Sequence, residues 1–166
     1  MKITIENEFT DRRITIKRPA NMIKDIRIQN YCGITDLKIN DCKRINLLVG
    51  KNGVGKEEIL RFVFDIGLLY KVSFKCFSEI EYGLHYTDMK DFWLQIIEFS
   101  ISNTVQVFAT THSYEMIKAL VEAAKETNLI KQDEIRLYRI NKTQKNPTKF
   151  DSTQIDKFIK LEWEVR

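Results

Sequence analysis

The chain has 166 residues, of which 43% are apolar and 30% charged, and its formal net charge is +4. This length suits one domain with a sizeable buried core, and the composition is typical of a globular protein and not of a disordered one. No apolar run reaches the roughly 18 residues of a membrane span. The N-terminus lacks the apolar core of a signal peptide, and the three cysteines have no metal-ligand spacing, so we expect a reduced, cytoplasmic protein without a membrane partner.

The first part of the chain is predicted to form strands. Residues 3–5 and 13–17 alternate apolar and polar side chains around a polar turn, which is the pattern of a β-hairpin. Residues 23–31 and 34–39 alternate in the same way. Residues 44–49 contain instead a continuous apolar run that ends at a glycine, which is typical of a strand buried on both faces in a parallel sheet.

The remainder of the chain alternates between helices and strands. Apolar spacings of three and four residues predict helices over 57–70, over 88–100 after a Thr87 cap, and over 114–126 after a Ser113 cap. Further strands are predicted at 71–77, 105–110 and 134–140, and Asp151 or Ser152 should cap a last short helix. This alternation indicates an α/β layer sandwich. We expect its core to include the aromatic residues Phe62, Phe64, Phe92, Trp93 and Phe108.

A glycine-rich loop follows the buried strand, with the sequence GKNGVGKE at residues 50–57. Its glycines allow the backbone to curl so that N–H groups point inward, and the helix that follows adds a partial positive charge at its N-terminus. Lys56 would then reach the outer phosphates of a nucleotide. The G-x-x-x-x-G-K string between a buried strand and an amphipathic helix indicates a nucleotide-binding loop, whereas the alternative is a turn that binds nothing.

Three stretches in order, IRIQNYCGITDLKI…INLLVGKNGVGK, EIEYGLHY and VFATTHSYEMI, resemble the ATPase heads of the ABC type within the AAA superfamily. The most similar heads are of the RecF, structural-maintenance-of-chromosomes and overcoming-lysogenization-defect kind. The resemblance implies a P-loop NTPase-like three-layer sandwich with a mostly parallel central sheet, reduced by loss of the helical insertion, plus an N-terminal β-hairpin. The resemblance covers roughly residues 22–142, and the ending LEWEVR is similar to those heads as well. Together with the chain length and the alternating pattern, it leads us to expect one compact domain, with the hairpin at 1–21, the core at 22–142 and a C-terminal helix and strand at 143–166.

The same resemblance implies a site for ATP. Its nucleotide-binding residues would be those of the glycine loop, namely Gly50, Lys51, Asn52, Gly53, Val54, Gly55, Lys56 and Glu57. Glu79 matches the catalytic glutamate that polarises the attacking water, and His112 matches the switch histidine that senses the γ-phosphate. His85 lies in the segment that contacts a partner head. Plainer interpretations remain open: Glu79 and Glu81 as solvated turn charges, His112 as a hydrogen-bonding group at a strand end, and His85 as a structural residue.

Both expected magnesium contacts depart from the pattern of these heads. Glu57 replaces the hydroxyl that binds magnesium directly, and Ser78 replaces the aspartate that holds it through water. Residues 57–77 alone join the loop to the second motif, so the signature segment that would clasp the nucleotide of a second head is missing as well. Without the strand supplied by the lost insertion, residues 71–77 should form a sheet edge, where Lys71 and Lys75 are tolerated.

The carboxylate of Glu57 is expected to oppose phosphate binding. At about 5 Å from a phosphate oxygen it is repelled by roughly 3 kcal/mol at an effective dielectric constant near 20, which corresponds to about a hundredfold in affinity. A magnesium ion that bridges Glu57 and the phosphates would reverse this sign, with Glu57 as a metal ligand. In an empty loop, the negative charge of Glu57 stabilises the helix, because it lies near the partial positive charge of the helix N-terminus. We therefore expect weak nucleotide binding and very slow hydrolysis.

Two functions from different classes follow. The first is an ATP-binding head whose hydrolysis is weak or absent, with ATP and magnesium as its ligands. The second is a catalytically silent interaction module that pairs with a full-length ATPase head, and a homodimer is a related arrangement. Basic clusters at 11–18 and 141–149 offer weaker support for a DNA partner, because solvated loops explain them equally well.

Overall fold

The computed structural model describes residues 2–7, 12–17, 22–70, 72–142 and 145–160. In these ranges the strands are β1 (Lys2–Asn7), β2 (Arg12–Lys17), β3 (Asp25–Tyr31), β4 (Ile34–Ile39), β5 (Ile45–Val49), β6 (Phe74–Phe77), β7 (Gln106–Thr111), β8 (Ile135–Arg139) and β9 (Thr148–Asp151). The helices are α1 (Lys56–Tyr70), α2 (Met89–Ser102), α3 (Tyr114–Glu126) and α4 (Ser152–Lys160), with a short 3-10 turn at Gln132–Glu134. The predicted α/β class is confirmed.

A five-stranded, mostly parallel sheet forms the centre of the fold, in the order β6-β7-β5-β8-β9. Its first four strands run parallel, and β9 pairs antiparallel with β8. The register aligns the last residues of neighbouring strands, so that Val49 of β5 lies opposite Thr111 of β7 and Arg139 of β8. The loops that follow β5, β6, β7 and β8 therefore meet at one edge of the sheet.

The two central strands are buried on both faces, as their apolar sequences predict. All five residues of β5 and all six of β7 are buried. Ile45, Leu47 and Val49 pack in one apolar cluster with α2, α3 and α4, whereas Leu48 packs on the opposite face with α1, β3 and β4. This alternation follows from the two-residue period of a strand. Helices therefore cover one face of the sheet, and α1 with a smaller sheet covers the other.

The smaller sheet is antiparallel and has the order β1-β2-β3-β4. The predicted hairpin is confirmed as β1 and β2, with Ile3 opposite Ile16, and β2 continues the sheet by pairing with β3. Gln106, at the start of β7, joins this sheet to the central one. Its side-chain amide accepts from the Ile23 N–H over 2.8 Å and donates to the Ile23 carbonyl over 2.9 Å.

The helix caps agree with the sequence in two cases and differ in one. The Ser113 hydroxyl accepts from the Met116 N–H at the start of α3, and the Asp151 carboxylate accepts from the Gln154 N–H at the start of α4. The predicted Thr87 cap of α2 is wrong. Asp88 occupies that position without a side-chain cap, because the Thr87 hydroxyl donates to the Asp88 carboxylate instead.

The expected aromatic core is confirmed with one exception. Phe62, Trp93 and Phe108 are buried, and Phe92 packs at the margin of the core. Phe64 is 49% exposed, because Phe62 and Val63 take the buried face of α1 and the next residue of the helix points outward. The strand β9 was not predicted, and the predicted C-terminal strand at 161–166 lies outside the described residues.

The edge position of β6 is confirmed. It lies at one end of the sheet order, and Lys75 at its centre is exposed, whereas Lys71 lies outside the described residues. Within the part of the chain that the structure describes, every helix is too short or too polar to cross a bilayer.

An ion-pair network around Asp41 joins the chain after β4 to β8 and β9. Lys43, Arg136 and Lys149 all contact its carboxylate, at distances of 2.8 to 3.3 Å. Partial burial acts to raise the pKa of Asp41, but the hydrogen bonds from Lys43 and Arg136 outweigh it, and the pKa falls to about 2.

Candidate functional site

The glycine loop between β5 and α1 has the backbone that its sequence predicts. Gly50, Gly53 and Gly55 have φ angles of 149°, 72° and 101°, a region that favours glycine. At Gly50 the restriction is steric as well, because a Cβ would lie 2.6 Å from the Ile140 carbonyl oxygen. The end of β8 therefore packs directly under the start of the loop. Lys51 and Asn52, at the outer part of the loop, are exposed.

Lys56 points into the loop and not into solvent. The residue is only 6% exposed, and its Nζ donates to the carbonyl oxygens of Gly50 at 2.7 Å and Lys51 at 3.0 Å. Burial lowers the pKa of Lys56, and the charges of Glu57, Glu79 and Glu81 oppose this shift. The loop is therefore curled around an ammonium group, with three glutamates near enough to act on its charge.

Glu57 is held by two hydroxyl groups. Its Oε2 accepts from the Ser78 hydroxyl at 2.6 Å, and its Oε1 accepts from the Thr110 hydroxyl at 2.9 Å. The Thr110 Oγ1 in turn accepts from the Glu79 N–H at 2.8 Å. The two positions that depart from the resemblance are thus in direct contact, with the carboxylate at Glu57 and the hydroxyl at Ser78. The resemblance leads us to expect a hydroxyl at position 57 and a carboxylate at position 78, whereas this chain has the two groups in the opposite order.

Glu57 is exposed, so solvent reduces the effect of its charge. At about 5 Å from a phosphate oxygen, the repulsion lies between about 0.8 kcal/mol in bulk water and roughly 3 kcal/mol at an effective dielectric constant near 20. The exposure of Glu57 favours the lower half of this range. The Glu57 charge would therefore weaken the binding of a phosphate group in the loop without preventing it.

The two glutamates after β6 lie in different environments. Glu79 is exposed and has a left-handed backbone with φ of 42°, whereas the Glu81 side chain is only 11% exposed. His112 follows β7 and contacts Glu81: its backbone N–H donates to Glu81 Oε1 at 2.9 Å, and its Nδ1 lies 3.0 Å from the same oxygen. The structure brings His112 together with Glu81 and records no hydrogen bond between His112 and the Glu79 carboxylate in the described residues.

His85 lies on the exposed turn that precedes α2. Its Nδ1 is 2.9 Å from the Thr87 Oγ1, and its ring is 4.4 Å from that of Tyr86. Tyr82 and Tyr86, in the same turn, are among the most exposed large side chains of the described residues. His85 therefore belongs to an exposed aromatic turn (residues 82–86), and within the described residues no hydrogen bond joins it to the glycine loop.

A cavity of about 610 Å³ opens beside the glycine loop. Its walls are the β3–β4 turn at 32–37, the loop residues 53–55 with the start of α1, and the segment after β8 that carries Lys142 and Lys145. Asp36 stands in this wall and pairs with Lys145 and, at 3.1 Å, with Arg27. The hydrogen bond from Arg27 holds the pKa of Asp36 below its usual value.

The described residues offer few ligands for a metal ion. No group of three or more His, Cys, Asp or Glu side chains in the described residues is placed to hold a metal ion. Around Glu57, however, one carboxylate and the hydroxyls of Ser78 and Thr110 converge. In proteins magnesium is usually bound by one or two carboxylates together with substrate phosphates, so of these three residues Glu57 alone could contribute a carboxylate ligand.

The sequence did not single out Thr110 or the contact of Glu81 with His112. Both depend on parallel strands whose ends meet at one edge of the sheet, where binding residues of α/β folds collect. The signal available in the sequence was the polar ending of the buried strand, since Thr110, Thr111 and His112 follow an apolar run.

No protein-family model, curated protein or solved structure matches the chain.

Proposed function

We propose that the chain is an ATP-binding head of the P-loop NTPase kind, with slow hydrolysis. The observation that carries this proposal is the glycine loop with Lys56 enclosed by it. Three glycines hold the backbone in a left-handed bend ahead of α1, and a buried ammonium group lies at its centre. Such a bend combines backbone N–H groups, a helix N-terminus and a fixed positive charge, which are the groups that bind phosphate oxygens.

The cavity beside the loop supports a ligand larger than phosphate. Its volume of about 610 Å³ falls within the roughly 300–1,000 Å³ typical of small-molecule sites. It is continuous with residues 53–55 of the loop, so a nucleotide could bind its phosphates in the loop and its nucleoside in the cavity. Lys142 and Lys145 also line the cavity, and Asp36 balances the charge of Lys145 there.

Magnesium, when bound, neutralises the charge that develops on the phosphate oxygens during hydrolysis. Glu57 would hold it directly, and Ser78 and Thr110 would orient the Glu57 carboxylate by their hydrogen bonds. Without magnesium, the Glu57 charge opposes the phosphates. We therefore infer a binding that depends strongly on magnesium and a slow turnover.

Isothermal titration calorimetry with ATP, with and without magnesium, tests this proposal. Wild-type protein should bind Mg-ATP with a dissociation constant in the micromolar to millimolar range, and K56A should abolish the heat because it removes the enclosed ammonium. K75A is a matched control, since it removes an exposed lysine from the β6 edge. An absence of heat at millimolar nucleotide, in the wild type and in Glu57→Ser alike, would contradict the proposal.

The exposed aromatic turn favours a second function, an interaction module that pairs with a full-length ATPase head. Tyr82, His85 and Tyr86 lie together on one short exposed segment, and aromatic side chains are enriched in protein interfaces. Co-expression with an intact head, followed by size-exclusion chromatography, tests this function. Complex formation that Y82A/Y86A abolishes supports it, and a chain that stays monomeric with such a head argues against it.

A further inference from the structure

Glu81 fixes His112 through two contacts to the same oxygen. The His112 N–H donates to Glu81 Oε1, and the imidazole Nδ1 lies 3.0 Å from that atom. Because an ionised carboxylate can only accept, Nδ1 must carry a proton. In the neutral ring the other nitrogen, Nε2, is then left as an acceptor. The His112 side chain is 53% exposed, so that Nε2 remains accessible to a ligand.

The main chain around Glu81 is fixed to the strand that carries His112. The Ile80 N–H donates to the Thr110 carbonyl at 3.0 Å, and the Ile80 side chain is buried. Since β5 and β7 are parallel neighbours, His112 follows β7 at the same edge of the sheet where the glycine loop follows β5. The pair of Glu81 and His112 therefore stands beside the phosphate end of the loop.

The second carboxylate oxygen of Glu81 is a costly feature for a structural residue. Oε2 is buried, and no described residue donates a hydrogen bond to it. The charge of the Glu81 carboxylate nevertheless acts on the buried Lys56, whose pKa it raises. A buried carboxylate oxygen that accepts no hydrogen bond opposes folding. Stability alone therefore does not account for a glutamate at this position.

We propose that Glu81, and not Glu79, is the positioning residue of the site, which holds His112 so that Nε2 serves as the general base. This inference rests on the proposed ATP-binding function. In the step, a water oxygen bonds to the γ-phosphorus and the bond from that phosphorus to the β–γ bridging oxygen breaks. ADP leaves, one water proton passes to Nε2 of His112, and the Glu81 carboxylate balances the resulting imidazolium. The arrangement follows the general pattern of a base oriented by a third group.

Nitrogen-15 NMR of the imidazole rings tests the positioning without any nucleotide. The chain has two histidines, so H85Q assigns the signals of His112. In the wild type, Nδ1 should give the signal of a protonated nitrogen and Nε2 that of an unprotonated one. E81A should move His112 towards the other tautomer, whereas E79Q should leave both nitrogen shifts unchanged. A spectrum that E79Q alters and E81A does not would overturn the inference.

Single-turnover hydrolysis of Mg-ATP tests the chemical role. H112A should lower the rate by about a hundredfold or more, the usual range for a lost general base. E81Q, which is nearly isosteric and so preserves the fold, should lower it by about tenfold with an unchanged dissociation constant for ATP. Glu98→Gln, on the exposed side of α2, is the matched control.

The two proposals fail in different ways. If ATP binds in calorimetry but H112A hydrolyses it as fast as the wild type, or if no hydrolysis is detected, the base role of His112 is refuted and the binding function stands. If ATP does not bind, the proposed function fails. The tautomer of His112 in E81A and E79Q then decides the positioning claim alone.

Discussion

Exchanging Glu57 and Ser78 tests the reversed hydroxyl–carboxylate pair directly. In the wild type, the Ser78 hydroxyl donates to Glu57 Oε2 at 2.6 Å. The single variant S78D would place two carboxylates about 3 Å apart, and their repulsion is about 1.4 kcal/mol in bulk water and rises with burial. E57S would instead remove both charge-assisted hydrogen bonds to Glu57, which we expect to cost about 1 kcal/mol at this exposed position.

The double variant E57S/S78D restores one hydroxyl and one carboxylate in the opposite order. Its free energy of unfolding should return to within about 0.5 kcal/mol of the wild type, which gives a coupling energy near 2 kcal/mol in a double-mutant cycle. Because no carboxylate then stands at position 57 of the loop, we expect ATP without magnesium to bind about tenfold more tightly than it binds to the wild type, equivalent to about 1.4 kcal/mol.

Urea denaturation of the four proteins measures the coupling, and calorimetry measures the dissociation constants. Strictly additive stabilities would refute the contact between Glu57 and Ser78. A dissociation constant that does not change in E57S/S78D would refute the electrostatic argument against Glu57. Glu98→Ser, which removes an exposed glutamate from α2, should change neither quantity.

Three further predictions concern stability. The pKa of Asp41 is about 2 in the folded protein, below the value of about 3.9 in an unfolded chain. The stabilising effect of the Asp41 carboxylate is therefore present above about pH 4 and is lost as the pH falls towards 2. The difference in urea midpoint between the wild type and D41N should shrink over that interval. Gly67→Ala should destabilise by about 1–2 kcal/mol despite the better helix propensity of alanine, because its Cβ would lie 1.3 Å from a Phe74 ring carbon, and a Phe74→Ala background should remove the penalty in thermal melts. Trp93→Phe should cost roughly 2–3 kcal/mol in urea unfolding, because the buried Nε1–H that donates to the Met116 carbonyl at 3.0 Å is lost, and a midpoint within error of the wild type would contradict this account.

Much of the central sheet could be predicted because its signals are local. The buried strands β5 and β7 each contain a run of three apolar residues, at 47–49 and 107–109, and the alternating lysines of residues 71–77 agreed with an edge strand. Ser113 was recognisable as a cap because a short polar residue precedes an apolar stripe. In each case a few consecutive residues determine the local structure, so a single sequence is enough.

The features that were missed depend on partners distant in the chain. The strand β9 has only four residues with little apolar content, and its pairing with β8 defines it. The hydrogen bond of Thr110 to Glu57 joins residues 53 positions apart, and the one between His112 and Glu81 joins residues 31 apart. Such contacts follow from strand order and register, which periodicity alone does not specify.

An anion that enters the glycine loop would meet an ammonium group that is already partly engaged. The Lys56 Nζ donates two of its three N–H groups to the carbonyl oxygens of Gly50 and Lys51, so one N–H group remains for a further acceptor. Taking either of the other two would leave a carbonyl oxygen of the loop without its partner. The two internal hydrogen bonds thus hold the lysine along the inside of the bend independently of any ligand.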